Sequence, residues 1–429
     1  MANMNHELDF LEMPSMPKQI TRREFLAHTT AATAATGLLG PTSLLASART
    51  QLPIAGVVTE YRNNSHADVI VGKVLEGWKQ DGGKGPDLRL VSLFTDQVPK
   101  ADMSRDLAKK HGFPIVDSIE KAILQPTGKD RIEGVLSIGE HGNYPYATKT
   151  RQHKYPRRRF FDAIVAAMQK AGRIVPIFSD KHLAWNMDDA LHMYNTARKL
   201  KIPFMAGSSL PTCWRYPAVT LERGVEIEEA LAIGYGGLES YGFHTLETLQ
   251  CMIERRRGGE TGVASVQAVS GDALVKARKE GRWSQELLEA AMDALPSRFR
   301  YKGNLREAAD KHATAYLIEH HDGLKSSVVM GNGFNRQFGF AAKLKGRPEP
   351  IAVWFRLEEG KPFGHFEHLL RAIEEMFHTG RPTAPVERTL MTTGVLDRVM
   401  HSVAEKGKKY VTPELAIKYQ PTNWGFANQ

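Results

Sequence analysis

From residue 52 onward, short β-rich apolar runs alternate with stretches in which apolar residues recur three and four positions apart. That alternation is the mark of β-α-β units feeding a mostly parallel sheet. Strands are predicted over 54–59, 88–94, 132–138, 174–178 and 204–207, with helices over 67–79, 104–111, 158–171 and 188–200. The last two helices carry a clear core-facing stripe, Phe161, Ile164, Val165 and Met168 in one, Ala190, Met193, Tyr194 and Ala197 in the other. Past residue 210 the pattern changes. Strand-like runs at 226–233, 263–270, 325–330, 337–343 and 351–357 are no longer separated by regular helices, which predicts a mainly antiparallel second sheet. A helix is expected at 366–377. The organisation read from this is a doubly wound domain over 49–208, a sheet domain over 209–375, and an extension over 376–429 that packs back on both.

In a doubly wound sheet, ligands sit beyond the carboxyl ends of the strands. Those ends carry Glu60 to His66, Thr95-Asp96, Gly139-Glu140-His141-Gly142 and Ser179-Asp180-Lys181-His182, a rim crowded with titratable groups. Lys181 is a candidate proton-transfer group, because partial burial or a cationic neighbour lowers a lysine pKa toward neutrality; its plain alternative is a surface pair with Asp180. His244 follows a glycine-rich turn and precedes a helix, where it either shares that role or caps the helix. Asp96 stands where an acidic side chain accepts from a ribose, or is an ordinary loop aspartate. A divalent metal is an alternative cofactor, since His66, His141, His182 and His244 with Glu60, Asp180 and Glu247 offer suitable ligand types, although no compact motif such as H-E-x-x-H is present.

In their order, these segments resemble the glucose-fructose oxidoreductase, inositol dehydrogenase and MocA (Gfo/Idh/MocA) family over most of residues 54–400. Ser179-Asp180-Lys181-His182 is similar to that family's Glu-Lys-Pro motif, Trp214-Arg215-Tyr216-Pro217 to its Arg-aromatic-x-Pro turn, Gly236 to His244 to the segment leading into its histidine, and Phe377 to Pro382 to its late helix-end turn. The resemblance implies an α/β fold, a Rossmann-like parallel sheet domain followed by an α+β domain with a mainly antiparallel sheet, and a helix over 245–256. It implies oxidation or reduction of a carbohydrate or polyol by NAD or NADP, with Lys181, His244 and Asp180 as catalytic positions, Arg215 toward the substrate, and a homo-oligomeric assembly. Arg62, Ser65, Asp96, Gly139 and His141 are the expected cofactor-binding positions. The first turn departs from the family pattern. Where G-x-G-x-x-G lets a backbone approach a pyrophosphate, this chain has Thr59-Glu60-Tyr61-Arg62-Asn63-Asn64-Ser65. Side chains fill that space and Glu60 adds a negative charge, leaving Arg62 and the amides near Ser65 to hold phosphate; the missing glycines fit better a metal-assisted or acid/base lyase or hydrolase acting on a sugar in the same cleft, and a non-catalytic sugar-binding relative is a third alternative. Ser240 stands where the family's aspartate precedes the histidine.

Composition narrows the picture further. At 429 residues and 42% hydrophobic, the chain is sized for two domains. Two cysteines, Cys213 and Cys251, exclude a disulfide scaffold and multi-cysteine metal frameworks. The net charge of +9 permits anionic partners. One basic run, Lys149, Arg151, Lys154, Arg157, Arg158 and Arg159 interleaved with His153 and Tyr155, either suits a phosphate or an acidic sugar or, as such runs more often are, is a solvated loop leading into a helix. It is too short for a nucleic-acid groove. Over 1–48, Thr21-Arg22-Arg23-Glu24-Phe25-Leu26, a weakly apolar stretch and Ala46-Ser47-Ala48 resemble a twin-arginine signal. The apolar stretch falls short of the roughly 18–20 continuous residues a spanning helix requires. Export through the twin-arginine machinery to the periplasm or beyond is therefore expected, without a membrane anchor. That route carries folded proteins, which fits a cofactor loaded beforehand.

Overall fold

The computed structural model describes residues 50–126, 130–358 and 360–429; the twin-arginine segment over 1–48 lies outside them. The predicted alternation is realised as β1 (Leu52–Val58), α1 (His66–Glu76), β2 (Leu88–Thr95), α2 (Ser104–His111), β3 (Ile115–Val116), α3 (Ile119–Leu124), β4 (Gly134–Ile138), α4 (Arg157–Lys170), β5 (Ile177–Asp180), α5 (Met187–Lys199) and β6 (Phe204–Gly207). These strands form one parallel sheet in the order β3-β2-β1-β4-β5-β6. Ile54 to Val58 pair with Gly134 to Ile138 at the point where the strand order reverses, so the crevice beyond β1 and β4 is the natural ligand position. β4 and β5 are buried throughout, as a sheet covered on both faces requires. Short polar side chains start the helices: Ser65 accepts from the Asp68 amide and Asn186 from the Asp189 amide.

The second half contributes β7 (Trp214–Tyr216), β8 (Ile227–Gly234), α6 (Ser240–Ile253), β9 (Val263–Ser270), α7 (Asp272–Lys279), α8 (Gln285–Asp293), α9 (Leu305–His312), β10 (Thr314–His320), β11 (Lys325–Met330), β12 (Phe338–Leu344), β13 (Ile351–Arg356), α10 (His365–Thr379), α11 (Val386–Ala404) and β14 (Tyr410–Val411). Its sheet, ordered β14-β9-β10-β11-β8-β12-β13-β7, is antiparallel except for β11 beside β8. Strand alternation divides β8 between two layers. Ala230 and Ala232 face α6 and α11, whereas Leu231 and Ile233 face α7 and α8. The expectation that this half lacks regular helices between strands is corrected here: α7, α8 and α9 cover one whole face. They were obscured by short, charge-rich sequences whose apolar positions are few.

α10 also departs from the expected division at residue 375. Phe366, Leu369, Ile373 and Phe377 pack with β1, α1 and β2 in a cluster belonging to the parallel sheet. Close approach is possible because Gly134 has no side chain; a Cβ there would lie 2.7 Å from the Phe377 ring. The longest described helix, α11, runs between the sheets and touches both, and Thr50–Gln429 forms one compact unit.

Gly134→Ala is expected to lower the free energy of unfolding by about 1–3 kcal/mol in urea denaturation, as overpacking does. Phe377→Leu in the same chain should recover part of that loss, because the two positions share one contact. An unchanged midpoint for Gly134→Ala would show that the ring does not bear on β4.

Candidate active site

β4 ends in Ile138 and the chain continues as Gly139-Glu140-His141; β5 ends in Asp180 and continues as Lys181-His182. His141 and Lys181 both adopt left-handed backbone conformations, φ 69° and 63°, which cost about 1–3 kcal/mol each in a residue other than glycine and collect at functional sites. The Lys181 amide donates to Gly207 O at 3.1 Å, which fixes this turn against the end of β6. Its Nζ donates to Glu140 Oε1 at 3.0 Å. Arg157, at the start of α4, donates to the other oxygen of Glu140. All three side chains are buried. Burial alone would push the Glu140 carboxyl up, but Lys181 and Arg157, with His66 and His141, hold it well below the usual carboxylate range.

Histidines surround this buried ion pair. His66, the first residue of α1, meets Asp180 Oδ2 through Nδ1 at 2.7 Å. Its ring packs edge-on against His141 and Phe366, with centroids 5.2 and 5.1 Å apart. His182 Nε2 lies 3.1 Å from Arg157 Nη1. His244, in the first turn of α6, packs against Phe338 and Tyr241. Burial lowers its pKa well below the ordinary value, and the Lys181 charge is the next largest cause. The Lys181 charge thus acts on His244. His365, at the start of α10, is held at about 3 by burial and then by His66.

A pocket of about 480 Å³ opens here, lined by Glu140, His141, Lys181 and His182 from the parallel-sheet rim and by Glu239 and Tyr241 from the approach to α6. The volume suits a small ligand. Five buried polar atoms around it have no hydrogen-bond partner among the described residues: His141 Nε2, His182 Nδ1, His244 Nδ1, Asp180 Oδ1 and Arg157 Nε. Buried polar groups are almost always satisfied, so such a concentration marks a place where a ligand completes the bonding. Glu239 accepts the His153 amide on both oxygens, at 3.0 and 2.9 Å. Burial pushes its carboxyl up to about 7, against the lowering effect of that amide, Arg157 and Lys181.

The other expected positions have different fates. Gly139 makes room for a side chain: a Cβ there would lie 2.7 Å from Arg157 Cγ. Arg62 reaches the rim, with Nε on Glu60 and Nη2 3.4 Å from His141 Nδ1. Ser65 is fully buried, and its hydroxyl accepts the Arg62 and Asp68 amides. The Asn64 amide is taken by the Asp68 carboxylate at 2.8 Å. The amides at 62, 64 and 68 are thus engaged within the turn, and Ser65 acts as a helix cap. Asp96 accepts from Tyr144 Oη and Arg159 Nη2, both at 2.6 Å, which corrects its expected freedom to meet a ribose. Arg215 is corrected as well. It belongs to β7 at the edge of the second sheet, its guanidinium donating to Pro211 O at 2.9 Å and stacked over Phe426, beside a separate cavity of about 50 Å³. Among the described residues no three His, Cys, Asp or Glu side chains are arranged to hold a metal ion, so the histidine-rich rim does not form a ligand set. Glu239 was missed as a site residue, Arg157 was read only as part of a basic run, Glu140 only as a rim residue, and His66 and His182 as rim residues or metal ligands; the basic run and the strand-end positions were the signals available.

Comparison with known proteins finds no family model and no curated protein that matches. Solved structures do match. GenD2 from gentamicin A biosynthesis, in complex with NAD, superposes with a TM-score of 0.54 at 13% identity over 84% of this chain and 96% of that one. A myo-inositol dehydrogenase from Corynebacterium glutamicum gives 0.51 at 13% identity over 84% and 98%. A probable dehydrogenase from Thermotoga maritima gives 0.52 at 12% identity over 85% and 100%. This chain has their fold. At these identities the likeness speaks for architecture, two domains in the same order, and the chemistry rests on the site.

Glu239 holds its proton more tightly folded than unfolded. Its contribution to stability is therefore complete below the ordinary value of 4.5 and is lost as pH rises through 7. Glu239→Gln should remove that slope, worth at most about 3 kcal/mol between pH 4.5 and 7. Urea titrations of both proteins at several pH values would show it, and parallel curves would contradict the assignment.

Proposed function

We propose that the chain is an exported oxidoreductase of the Gfo/Idh/MocA kind, acting on a carbohydrate or polyol with a nicotinamide cofactor, NAD or NADP. The observation that carries this reading is the pocket beyond β4 and β5 that Lys181 lines, with the buried His244 inside the field of the Lys181 charge, on a fold shared with NAD-bound GenD2. The pocket has room for a nicotinamide ring beside a sugar ring, and its orphaned N–H and carboxylate atoms offer partners to both. At the diphosphate end Arg62 is the available cation, and His141 lies between it and the pocket. When bound there, the nicotinamide would accept hydride from the carbinol carbon.

The protein's own groups divide the proton work in a definite way. Lys181 Nζ is positioned by its hydrogen bond to Glu140, and its remaining N–H groups are suited to hold the hydroxyl oxygen and stabilise it as its proton departs. The His244 imidazole is neutral at physiological pH, with Nδ1 unengaged, which suits it to accept that proton. This assigns the base role to the histidine and the electrostatic role to the lysine. Asp180 acts at one remove, holding His66. The twin-arginine motif supports export of the folded protein.

One observation favours a second reading. The amides of the first turn are engaged by Ser65 and Asp68, which suits redox-neutral acid/base chemistry, a lyase or hydrolase, in the same pocket. Mass spectrometry of the full chain after denaturation separates the two. Stoichiometric NAD or NADP is expected; sugar turnover without nucleotide or change of oxidation state would establish the second reading. Lys181→Ala should lower kcat by about 10²–10⁴, the usual contribution of a positioned acid/base group, with an unchanged circular dichroism spectrum. Full activity in that variant would remove the lysine from the chemistry.

A further inference from the structure

The basic run at 149–159 is divided by the fold. Lys149, Arg158 and Arg159 are neutralised by Glu405, Asp189 and Asp96, and Arg157 descends to Glu140 at the pocket floor. Arg151 is different. It lines the pocket mouth, is exposed, and has no carboxylate partner among the described residues. Its guanidinium lies 5.1 Å from the centre of the Tyr146 ring. From there a continuous stack leads inward: His153 lies on Tyr146 at 4.2 Å and on Tyr155 at 4.0 Å, and Arg157 lies over Tyr155 at 4.9 Å. Planar groups stacked in this way form a firm wall with an arginine at each end.

The two arginines that touch histidines also fix where those rings carry their protons. A guanidinium can only donate. Arg157 faces His182 Nε2 at 3.1 Å and Arg62 faces His141 Nδ1 at 3.4 Å, so those nitrogens present lone pairs. Burial keeps both imidazoles neutral at physiological pH. Each proton must then reside on the other nitrogen, His182 Nδ1 and His141 Nε2. These are two of the buried atoms that lack a partner. Lys181 adds ammonium protons beyond the one given to Glu140. The acceptors, by contrast, are engaged: Glu140 by Lys181 and Arg157, Glu239 by the His153 amide. Asp180 Oδ1 is the exception, on a carboxylate already held by His66.

A ligand entering this pocket meets unsatisfied donors, while the carboxylates it meets already take other donors. A sugar hydroxyl placed there must still donate its own proton, whereas a carboxylate accepts from several donors and leaves nothing unpaired. The charges agree. Among the lining residues Lys181 and Arg151 stand against Glu140, with Glu239 titrating near neutrality, so the pocket carries between zero and one positive charge. A singly charged carboxylate matches that better than a phosphate dianion.

We infer that the pocket selects a sugar acid, its carboxylate taken by Arg151 at the mouth together with the His182 Nδ1 and His141 Nε2 donors. This rests on the carbohydrate reading above but holds under either the redox or the redox-neutral form of it. The test is calorimetric titration of the full chain with D-glucuronate, D-galacturonate and D-gluconate, each against its neutral counterpart D-glucose, D-galactose or sorbitol, with D-glucose 6-phosphate and propionate alongside. At least one acid should bind ten times more tightly than its neutral partner, and Arg151→Gln should reduce that preference at least fivefold. His182→Asn, which keeps a donor near Nδ1, should retain more of the preference than His182→Phe. Equal affinity for acids and neutral sugars, or a preference untouched in Arg151→Gln, would overturn the inference. Tighter binding of glucose 6-phosphate would replace the carboxylate with a phosphate. Binding of propionate as tight as that of the sugar acids would keep the anion site and remove the carbohydrate reading, and nucleotide analysis by mass spectrometry is independent of all these outcomes.

Discussion

A buried carboxylate held between two buried cations organises this site. Glu140 stands at the end of β4, Lys181 at the end of β5 and Arg157 at the start of α4, so one ion cluster joins three elements at the point where the strand order reverses. Taking such charges out of water is expensive, and deleting one member of a buried pair costs about 3–5 kcal/mol because its partner is left uncompensated. The cluster is therefore weak evidence for stability and stronger evidence for position. It fixes Lys181 at the pocket wall and places Arg157 where it sets the tautomer of His182. Gly139 belongs to the same device, since any side chain there would displace the stem of Arg157.

The electrostatic field of this cluster accounts for the contrast between its neighbours. His141, His182 and His244 are held neutral by burial and nearby positive charge, whereas the more remote Glu239 retains its proton near neutrality. Groups that hold a proton and groups that lack one are thereby set within a few side chains, an arrangement suited to proton transfer near pH 7. The left-handed turns at His141 and Lys181 belong to this arrangement, because they direct consecutive side chains over the sheet edge.

The second sheet and α11 supply the other wall. The buried face of α11 is unusually polar, and its polar groups are bonded to neighbouring elements. Thr393 accepts the Leu183 amide, Asp397 accepts the Met187 amide and the Gln152 side chain, Thr392 donates to Glu247, and Arg388 grips Glu254. Leu183 lies in the loop that follows Lys181 and Met187 opens the next helix, so α11 braces the Lys181 turn from behind. The same polar positions interrupt the apolar stripe by which a helix is recognised, which is why this long element is hidden from a reading by periodicity.

What the chain determines by itself is the alternation of elements and the chemistry at strand ends. Periodicity and β-rich runs are local properties, so the parallel domain is legible, with β2 and β6 starting at Leu88 and Phe204 as read and α2 matching end to end. Lys181, His141 and His244 are legible for the same reason, each adjoining a strand end or a glycine-rich turn. Arg215 and Asp96 show the limit. Their residue types and places fit a ligand role, yet one is sequestered by Pro211 and Phe426 and the other by Tyr144 and Arg159, partners that no spacing rule can supply. Only the tertiary structure decides which charge meets which. Glu140, Arg157 and Lys181 are 17 and 24 positions apart in succession, and their pairing, with the proton positions it imposes, follows from burial and distance, which exist only once the strands are side by side.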